Sequence, residues 1–133
     1  MRLRGRPWVV HGADGLDEVT ITGDTFVAAC STSTAVKTFA ISPEDFGLQR
    51  RSITQCREGP IENARVIRAI LDGDTNGGFA AAHDLVVINA AAALSLADVA
   101  NDFQNATAMA RESIGSGKAA SKLDALIRET NRS

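Results

Sequence analysis

The stretch WVVHGADGLDE, residues 8–18, decides how the rest of the chain is interpreted. It opens with a short apolar run, Trp8 to Val10, in which two residues are β-branched. Such a run is typical of a buried strand in a sheet that is covered on both faces. The run ends in a turn rich in glycine and aspartate, and in an open α/β sheet ligands bind where loops leave the carboxyl ends of the strands. The loop at residues 12–18 is therefore the first place to look for a functional site.

Asp17 and Glu18 are adjacent carboxylates at the end of this loop. Two hard anions side by side suit Mg²⁺, which takes one or two protein carboxylates and completes its shell with water and phosphate oxygens. The plainer interpretation is that Asp14 and Asp17 are turn residues and that Glu18 is a solvated charge, because turns select Asp and Gly for local reasons. The residues alone leave both interpretations open.

Length and composition predict a single domain over residues 1–133, large enough for a substantial core. Fourteen basic and sixteen acidic residues give a net charge of -2, which is no electrostatic footprint for nucleic acid or an anionic membrane. Apolar runs stay well short of the ~20 residues that a membrane helix needs. An arginine cluster, Arg2, Arg4 and Arg6, is not followed by the apolar segment of a signal peptide.

The first third of the chain predicts short strands, because β-branched and small apolar residues favour them. The predicted strands are residues 8–10, 19–22, 25–30 and 36–41, with the last three forming a small antiparallel excursion from the main sheet. Pro43 forces Ser42 away from the helical region, so a turn is predicted at 42–45. Phe46 and Leu48 are expected to pack that turn against the core.

Apolar periodicity predicts four helices after residue 60. They cover about residues 61–72, 79–96 and 98–114, and the last one follows Ser116 as its N-cap. The second helix is apolar nearly all round and is expected to be buried. Asn89 lies inside it and must find partners, because an unpaired buried amide costs roughly 1–3 kcal/mol. It is either a substrate contact or a satisfied core asparagine.

The sequence predicts no catalytic residue. His11 could be a general base, but a histidine and a glycine after a strand can equally form a turn hydrogen bond. No glycine-rich segment has the spacing of a phosphate-binding P-loop, and local sequence suggests no Ser-His-Asp or Cys-His pairing. Cys30 and Cys56 lack a CxxC spacing and are expected to be thiols rather than zinc ligands or a disulfide.

Five stretches together resemble anthranilate phosphoribosyltransferase, in the glycosyltransferase family 3 and nucleoside phosphorylase-like superfamily. They are VVHGADGLDEVT at 9–20, ISPEDFGL at 41–48, ENARVIRAILDGD at 62–74, DLVVINAAAAL at 84–94 and AMARESIGSGKAASKLDALI at 108–127. The resemblance covers nearly the whole chain. It implies an α/β fold that is the C-terminal part of the large domain of such an enzyme, with short strands followed by about four helices.

The resemblance also implies an activity, a cofactor and a compartment. The family transfers a phosphoribosyl group from phosphoribosyl pyrophosphate to the amine of anthranilate, in cytoplasmic tryptophan biosynthesis. Asp17 and Glu18 match the family's acidic pair and would hold Mg²⁺ against the pyrophosphate. The family's glycine-rich pyrophosphate loop, its Lys-His-Gly-Asn segment and its arginine for anthranilate are not found in this sequence. The chain is therefore expected to be inactive alone and to bind both substrates only when completed.

Several other functions stay open. The chain could be a non-catalytic scaffold, a homodimer, or a partner subunit completed by a separately encoded N-terminal half. A nucleoside phosphorylase-like relative fits less well, because the stretches at 9–18 and 43–48 resemble the transferase more closely. The superfamily's nucleic-acid-binding branch would require a basic groove, which the acidic composition does not favour.

Overall fold

The computed structural model describes residues 7–30, 35–53, 59–74 and 78–132. Three strands and one 3-10 helix come first, followed by four α-helices. The elements are β1 (Trp8–Gly12), β2 (Thr25–Cys30), β3 (Val36–Ile41), the 3-10 helix (Pro43–Phe46), α1 (Gly59–Leu71), α2 (Ala80–Leu96), α3 (Phe103–Gly115) and α4 (Lys118–Thr130). This confirms the predicted α/β fragment with short strands and four helices. The arginine cluster at residues 2–6, the turn at 31–34 and Cys56 lie outside the described residues.

The three strands form one antiparallel sheet in the order β1-β2-β3. Val10 lies opposite Val27, which lies opposite Phe39, so these side chains share one face of the sheet. The prediction that β1 is covered on both faces is wrong for the described structure, because Val9 is 67% exposed on the other face. The apolar run is half-covered, and β1 pairs directly with β2, one of the strands that were predicted to form an excursion from the main sheet.

Residues 19–22 do not form the predicted strand, although they are β-branched. The amides of Val19, Thr20 and Thr22 bond to side chains, and the Ile21 carbonyl accepts the Arg51 amide at 2.9 Å, so the segment joins no strand ladder. The Thr20 amide donates to Oγ1 of Thr25 at 3.0 Å, and the Thr22 amide donates to Oγ1 of Thr20 at 3.1 Å. Because these donors are already satisfied, the segment has no need of a strand ladder.

The main core lies between the sheet and the helices α2 and α3. Phe46, from the 3-10 helix, is 1% exposed and stacks on Phe103 with ring centroids 4.3 Å apart. Trp8 meets Phe103 edge-on and ties the first strand to the same cluster. The predicted packing of Phe46 and Leu48 against the core is confirmed. The core therefore holds β1 against the helices through Trp8 and Val10, and the acidic loop begins at the far end of this strand.

The helices differ from the predictions at their ends and on one face. Helix α3 begins at Phe103, five residues later than predicted, because the Asp102 carboxylate accepts the Asn105 amide at 2.7 Å and caps it. The prediction of Ser116 as the N-cap of α4 is wrong: Gly117 takes that position with a φ of 75°, and Ser116 closes α3. Helix α2 is buried on one side only, since Val86 is exposed. Within the described residues, no helix combines the length and apolarity needed to cross a membrane.

A candidate metal-binding loop

The loop after β1 is a tight backbone turn. The Gly12 amide donates to the Leu16 carbonyl at 2.8 Å, and the Gly15 amide donates to the Gly12 carbonyl at 2.9 Å. Gly15 has a φ of 90°, which side-chain-bearing residues rarely adopt. Gly12 is required for a different reason: a Cβ atom there would lie 2.5 Å from Oδ1 of Asp14 and 3.2 Å from Thr20. Both glycines therefore shape the turn that leads to Asp17 and Glu18.

Asp14 ties the beginning of the loop to the residues that follow it. Its Oδ2 accepts hydrogen bonds from the hydroxyls of Thr20 and Thr22, both at 2.6 Å, and its Oδ1 accepts the Leu16 amide at 3.2 Å. Partial burial alone would raise the pKa of Asp14, but these hydrogen bonds outweigh it and lower the pKa. Asp14 is thus an ionised residue that stabilises the loop by hydrogen bonds, which agrees with the interpretation of Asp14 as a turn residue.

Asp17 is exposed and Glu18 is half-buried at the open side of this turn. Partial burial raises the pKa of Glu18 above its ordinary value, and the negative charges of Asp17 and Asp14 raise it further. Three carboxylates therefore share one short loop without a basic side chain bonded to any of them in the described structure. A cation placed here would relieve this repulsion.

Asn89, on helix α2, holds the residue directly after the acidic pair. Its Nδ2 donates to the Val19 carbonyl at 2.9 Å, and its Oδ1 accepts the Val19 amide at 3.0 Å. Nδ2 also donates to the Leu85 carbonyl, one helical turn earlier, at 3.0 Å. All the strong bonds that this amide group needs are therefore made within the protein, and the structure supports the interpretation of a satisfied core asparagine.

The other candidate residues lie apart from the loop or in ion pairs. His11 is exposed on the open side of the sheet, opposite Phe26. His83 lies beside Asp84, with Nδ1 and Oδ1 3.4 Å apart. Asp84 is buried and accepts Nε of Arg51 at 2.7 Å, which joins α2 to the chain after the 3-10 helix. These contacts account for the two histidines as surface and packing residues.

Metal-ligand clusters of the all-protein type are absent from the described part of the chain. No group of three or more His, Cys, Asp or Glu side chains converges there on a point where an ion could sit. The acidic pair therefore offers at most a partial shell. The sequence reasoning missed the hydroxyl network of Thr20, Thr22 and Thr25, although a run of threonines around the Gly23-Asp24 turn is the signal that could have revealed it.

Comparisons with known proteins identify relatives that are much longer than this chain. Residues 3–120 match the family model described as "Glycosyl transferase family, a/b domain". Anthranilate phosphoribosyltransferase of Moorella thermoacetica is 46% identical over 123 residues, which are 92% of this chain and 35% of the relative.

Solved structures of anthranilate phosphoribosyltransferase from Saccharomyces cerevisiae share the fold. The structure in complex with PRPP and Mg superposes with a TM-score of 0.78 at 32% identity, covering 90% of this chain and 33% of that one. The structure in complex with 4-fluoroanthranilate superposes with a TM-score of 0.79 at 33% identity, covering 90% and 34%. The chain spans about 35% of the length of the relatives that it matches. It belongs to the glycosyl transferase family with this α/β domain, and it matches the C-terminal part of anthranilate phosphoribosyltransferase.

Proposed function

We propose that residues 1–133 form one unit, the C-terminal, metal-binding portion of an anthranilate phosphoribosyltransferase of cytoplasmic tryptophan biosynthesis. The reaction would break the bond between the ribosyl C1 and the pyrophosphate oxygen and form a bond from C1 to the amine nitrogen of anthranilate. Pyrophosphate leaves with the bonding electrons, and the amine loses a proton. The proposal rests on the acidic pair Asp17-Glu18 in a chain with these relatives. The loop that carries the pair is held by the hydrogen bonds of Asp14 to Thr20 and of Asn89 to Val19.

The chain's own contribution would be to hold a cation at the pyrophosphate. Asp17 and Glu18 supply two carboxylates, a donor set that suits Mg²⁺ shared with phosphate oxygens and water. Burial first, and then the negative charges of Asp17 and Asp14, raise the pKa of Glu18, and a cation would balance the second of these causes. When bound, Mg²⁺ would neutralise charge on the leaving pyrophosphate. Asp14 would keep the pair in place without being a ligand itself, since its oxygens are already bonded.

The acidic pair supplies only the metal-binding part of the proposed site. Its sequence has no glycine-rich phosphate cradle and no group assigned to anthranilate. Substrate orientation can supply about 7–11 kcal/mol of barrier reduction, so a metal loop alone should not catalyse the reaction. We therefore propose that the isolated chain is inactive and that phosphoribosyl pyrophosphate and anthranilate bind only when the rest of the enzyme is present.

The isolated chain is expected to bind Mg²⁺ weakly and to show no turnover. A dissociation constant near the millimolar range corresponds to only ~4 kcal/mol, as expected for two side chains with no phosphate held beside them. Calorimetry with Mg²⁺ and an assay of anthranilate-dependent consumption of phosphoribosyl pyrophosphate measure the two quantities. Micromolar Mg²⁺ affinity that is unchanged in Glu18→Gln would contradict the proposed ligands, and robust turnover by the chain alone would contradict the proposed division of the site.

One surface supports completion by a preceding portion of the same enzyme. We define the open face of the sheet as the face away from the helices. Its residues are Val9, His11, Phe26, Ala28, Cys30, Val36, Thr38 and Ala40. Phe26 is 55% exposed and Val36 is 59% exposed, so the face is apolar and uncovered. Apolar patches of this kind mark interaction surfaces. The outer edge of β1 is also unpaired within the described sheet, and an unpaired edge can accept a further strand.

Phe26→Asp is expected to prevent completion in trans without unfolding the chain. A charge on the open face would have to be desolvated when the preceding portion of the enzyme docks, whereas in the isolated chain it stays in water. The measurement is activity regained when the separately purified preceding portion of the M. thermoacetica relative is titrated into this chain. Ile61→Asp is the matched control, because Ile61 is equally apolar and 82% exposed but lies on α1. Equal loss of activity in both variants would argue against docking on the open face.

A further inference from the structure

The side chain of Asn89, on helix α2, forms hydrogen bonds with the residue that directly follows the acidic loop. The carboxamide binds both backbone groups of Val19, with the amide N–H at 3.0 Å and the carbonyl at 2.9 Å. This pair of bonds imitates one rung of a strand ladder, made by a side chain 70 residues away in sequence. Val19 is the residue after Glu18, so Asn89 restrains the backbone at the C-terminal end of the acidic pair.

The loop is fastened on its other side by a second, independent set of bonds. Asp14 holds Thr20 and Thr22 through their hydroxyls. These bonds close the turn upon itself but do not connect it to the helical layer. Asn89 makes the direct hydrogen-bonded connection from α2 to Val19, which also lies in the apolar core with Ile88 and Ala91 of α2. An indirect connection runs through Arg51, whose amide donates to the Ile21 carbonyl at 2.9 Å and whose Nε donates to Asp84 of α2 at 2.7 Å.

We propose that Asn89 is a positioning residue that sets the location of Asp17 and Glu18 for metal binding, through its two bonds to Val19. The proposal rests on the function proposed above for the acidic pair. In other metal sites, mutating a side chain that orients a metal ligand by hydrogen bonding typically lowers metal affinity by about 10–100-fold. The third bond of Asn89, to the Leu85 carbonyl, holds the carboxamide in the orientation that presents both groups to Val19.

Asn89→Ser separates this role from simple packing. A serine hydroxyl on α2 can bond to the carbonyl one turn earlier, as Ser95 does to Ala91 at 2.9 Å. The variant therefore keeps a partner for the Leu85 carbonyl but is too short to reach Val19. Thr107→Val is the matched control, because it removes a buried hydroxyl whose bond goes to the Phe103 carbonyl at 2.9 Å and not to the loop.

Two NMR measurements on the full chain test the proposal, with Mn²⁺ alone as the probe. In Asn89→Ser, amide hydrogen exchange at Val19 is expected to accelerate by about tenfold or more, because the N–H loses its acceptor. The Mn²⁺ concentration that broadens the amide signals of residues 17–19 is expected to rise by about tenfold or more. Thr107→Val is expected to lower the melting temperature without changing either quantity.

The outcomes distinguish the two proposals. Faster Val19 exchange with unchanged Mn²⁺ broadening would overturn the positioning role and leave Asn89 a structural residue. Unchanged exchange would overturn it as well, since the bonds would then carry no constraint. If Asn89→Ser does not fold, Asn89→Gln keeps both donor and acceptor and lengthens the arm, and the same two measurements decide. If Mn²⁺ broadens no signal of residues 17–19 in the native chain, the proposed metal site itself is contradicted. The exchange comparison would still test whether Asn89 restrains Val19 through its hydrogen bonds.

Discussion

A chimera that joins the preceding portion of the M. thermoacetica enzyme to this chain is expected to transfer phosphoribosyl to anthranilate, and Asp17→Ala is expected to remove nearly all of that activity. Charge develops on the departing pyrophosphate, and removing one group that stabilises such charge costs about 10²–10³-fold in kcat. Glu18→Gln should act in the same direction, because it removes the charge and preserves the shape. The measurement is the steady-state rate as a function of Mg²⁺ concentration.

A matched control separates a metal effect from a general loss of negative charge. Asp72 is an exposed carboxylate just after α1, far along the chain from the acidic loop. Asp72→Ala is expected to leave both the rate and its Mg²⁺ dependence unchanged. An active chimera that tolerates both Asp17→Ala and Glu18→Gln would show that the metal is held elsewhere. A folded chimera with no activity at any Mg²⁺ concentration would argue that this chain serves as a scaffold rather than as half of an active site.

The helices could be predicted from the sequence because their apolar residues either recur at helical spacing or form one long run, as in α2. In α3 burial follows the predicted stripe, since Ala106, Ala110 and Ile114 are buried, whereas α4 has no buried residue. The ends were less predictable, since they depend on single contacts. Asp102 caps α3 through the Asn105 amide, and Gly117 takes the left-handed conformation that separates α3 from α4. Ser116 has the composition of an N-cap, but its own amide is used to close the preceding helix, bonding to the Glu112 and Ile114 carbonyls.

The strand prediction failed at Val19 to Thr22 for a reason that local sequence does not contain. The propensity of these residues favours a strand, but their partners are the side chains of Asn89, Thr25 and Thr20. A side chain 70 residues away cannot be identified from composition or periodicity. The same contact is the one on which the proposed positioning role of Asn89 rests. The acidic pair itself could be found from sequence, whereas its support could not.

The exposure of the open face could not be predicted from the hydrophobic run at residues 8–10. Trp8 to Val10 was predicted to be covered on both sides, and the described structure covers only the side of Trp8 and Val10. The apolar residues of a strand reflect all the contacts that the strand makes, including contacts with other segments or chains. The exposure of Val9 is therefore one of the observations behind the docking proposed for the open face.

Phe46→Ala is expected to cause the largest loss of stability of any single substitution proposed here. Phe46 is 1% exposed and stacks on Phe103 at 4.3 Å, and it lies in the same cluster as Ile21, Val27, Ile88, Ala91 and Ala106. Phe46 therefore lies in a core to which the sheet, the segment after the acidic loop and two helices all contribute side chains. Truncating a buried phenylalanine costs about 3–5 kcal/mol, which includes roughly 0.5–1.5 kcal/mol for an aromatic pair.

The backbone around Phe46 gives the cavity little chance to collapse. The 3-10 helix is fixed at its start by the Asp45 carboxylate, which accepts the Ser42 amide at 2.7 Å, and it ends at Gly47 with a φ of 69°. Urea unfolding followed by circular dichroism measures the free energy of unfolding, and Phe26→Ala on the open face is the control, expected to change it by less than about 1 kcal/mol. Because total stabilities are only about 5–15 kcal/mol, the Phe46 variant should lose a large fraction of its stability and unfold at a clearly lower urea concentration. A loss below about 1 kcal/mol for Phe46→Ala would mean that the sheet and helices do not depend on a common core, and the acidic loop would then lack the rigid support on which its proposed role in metal binding depends.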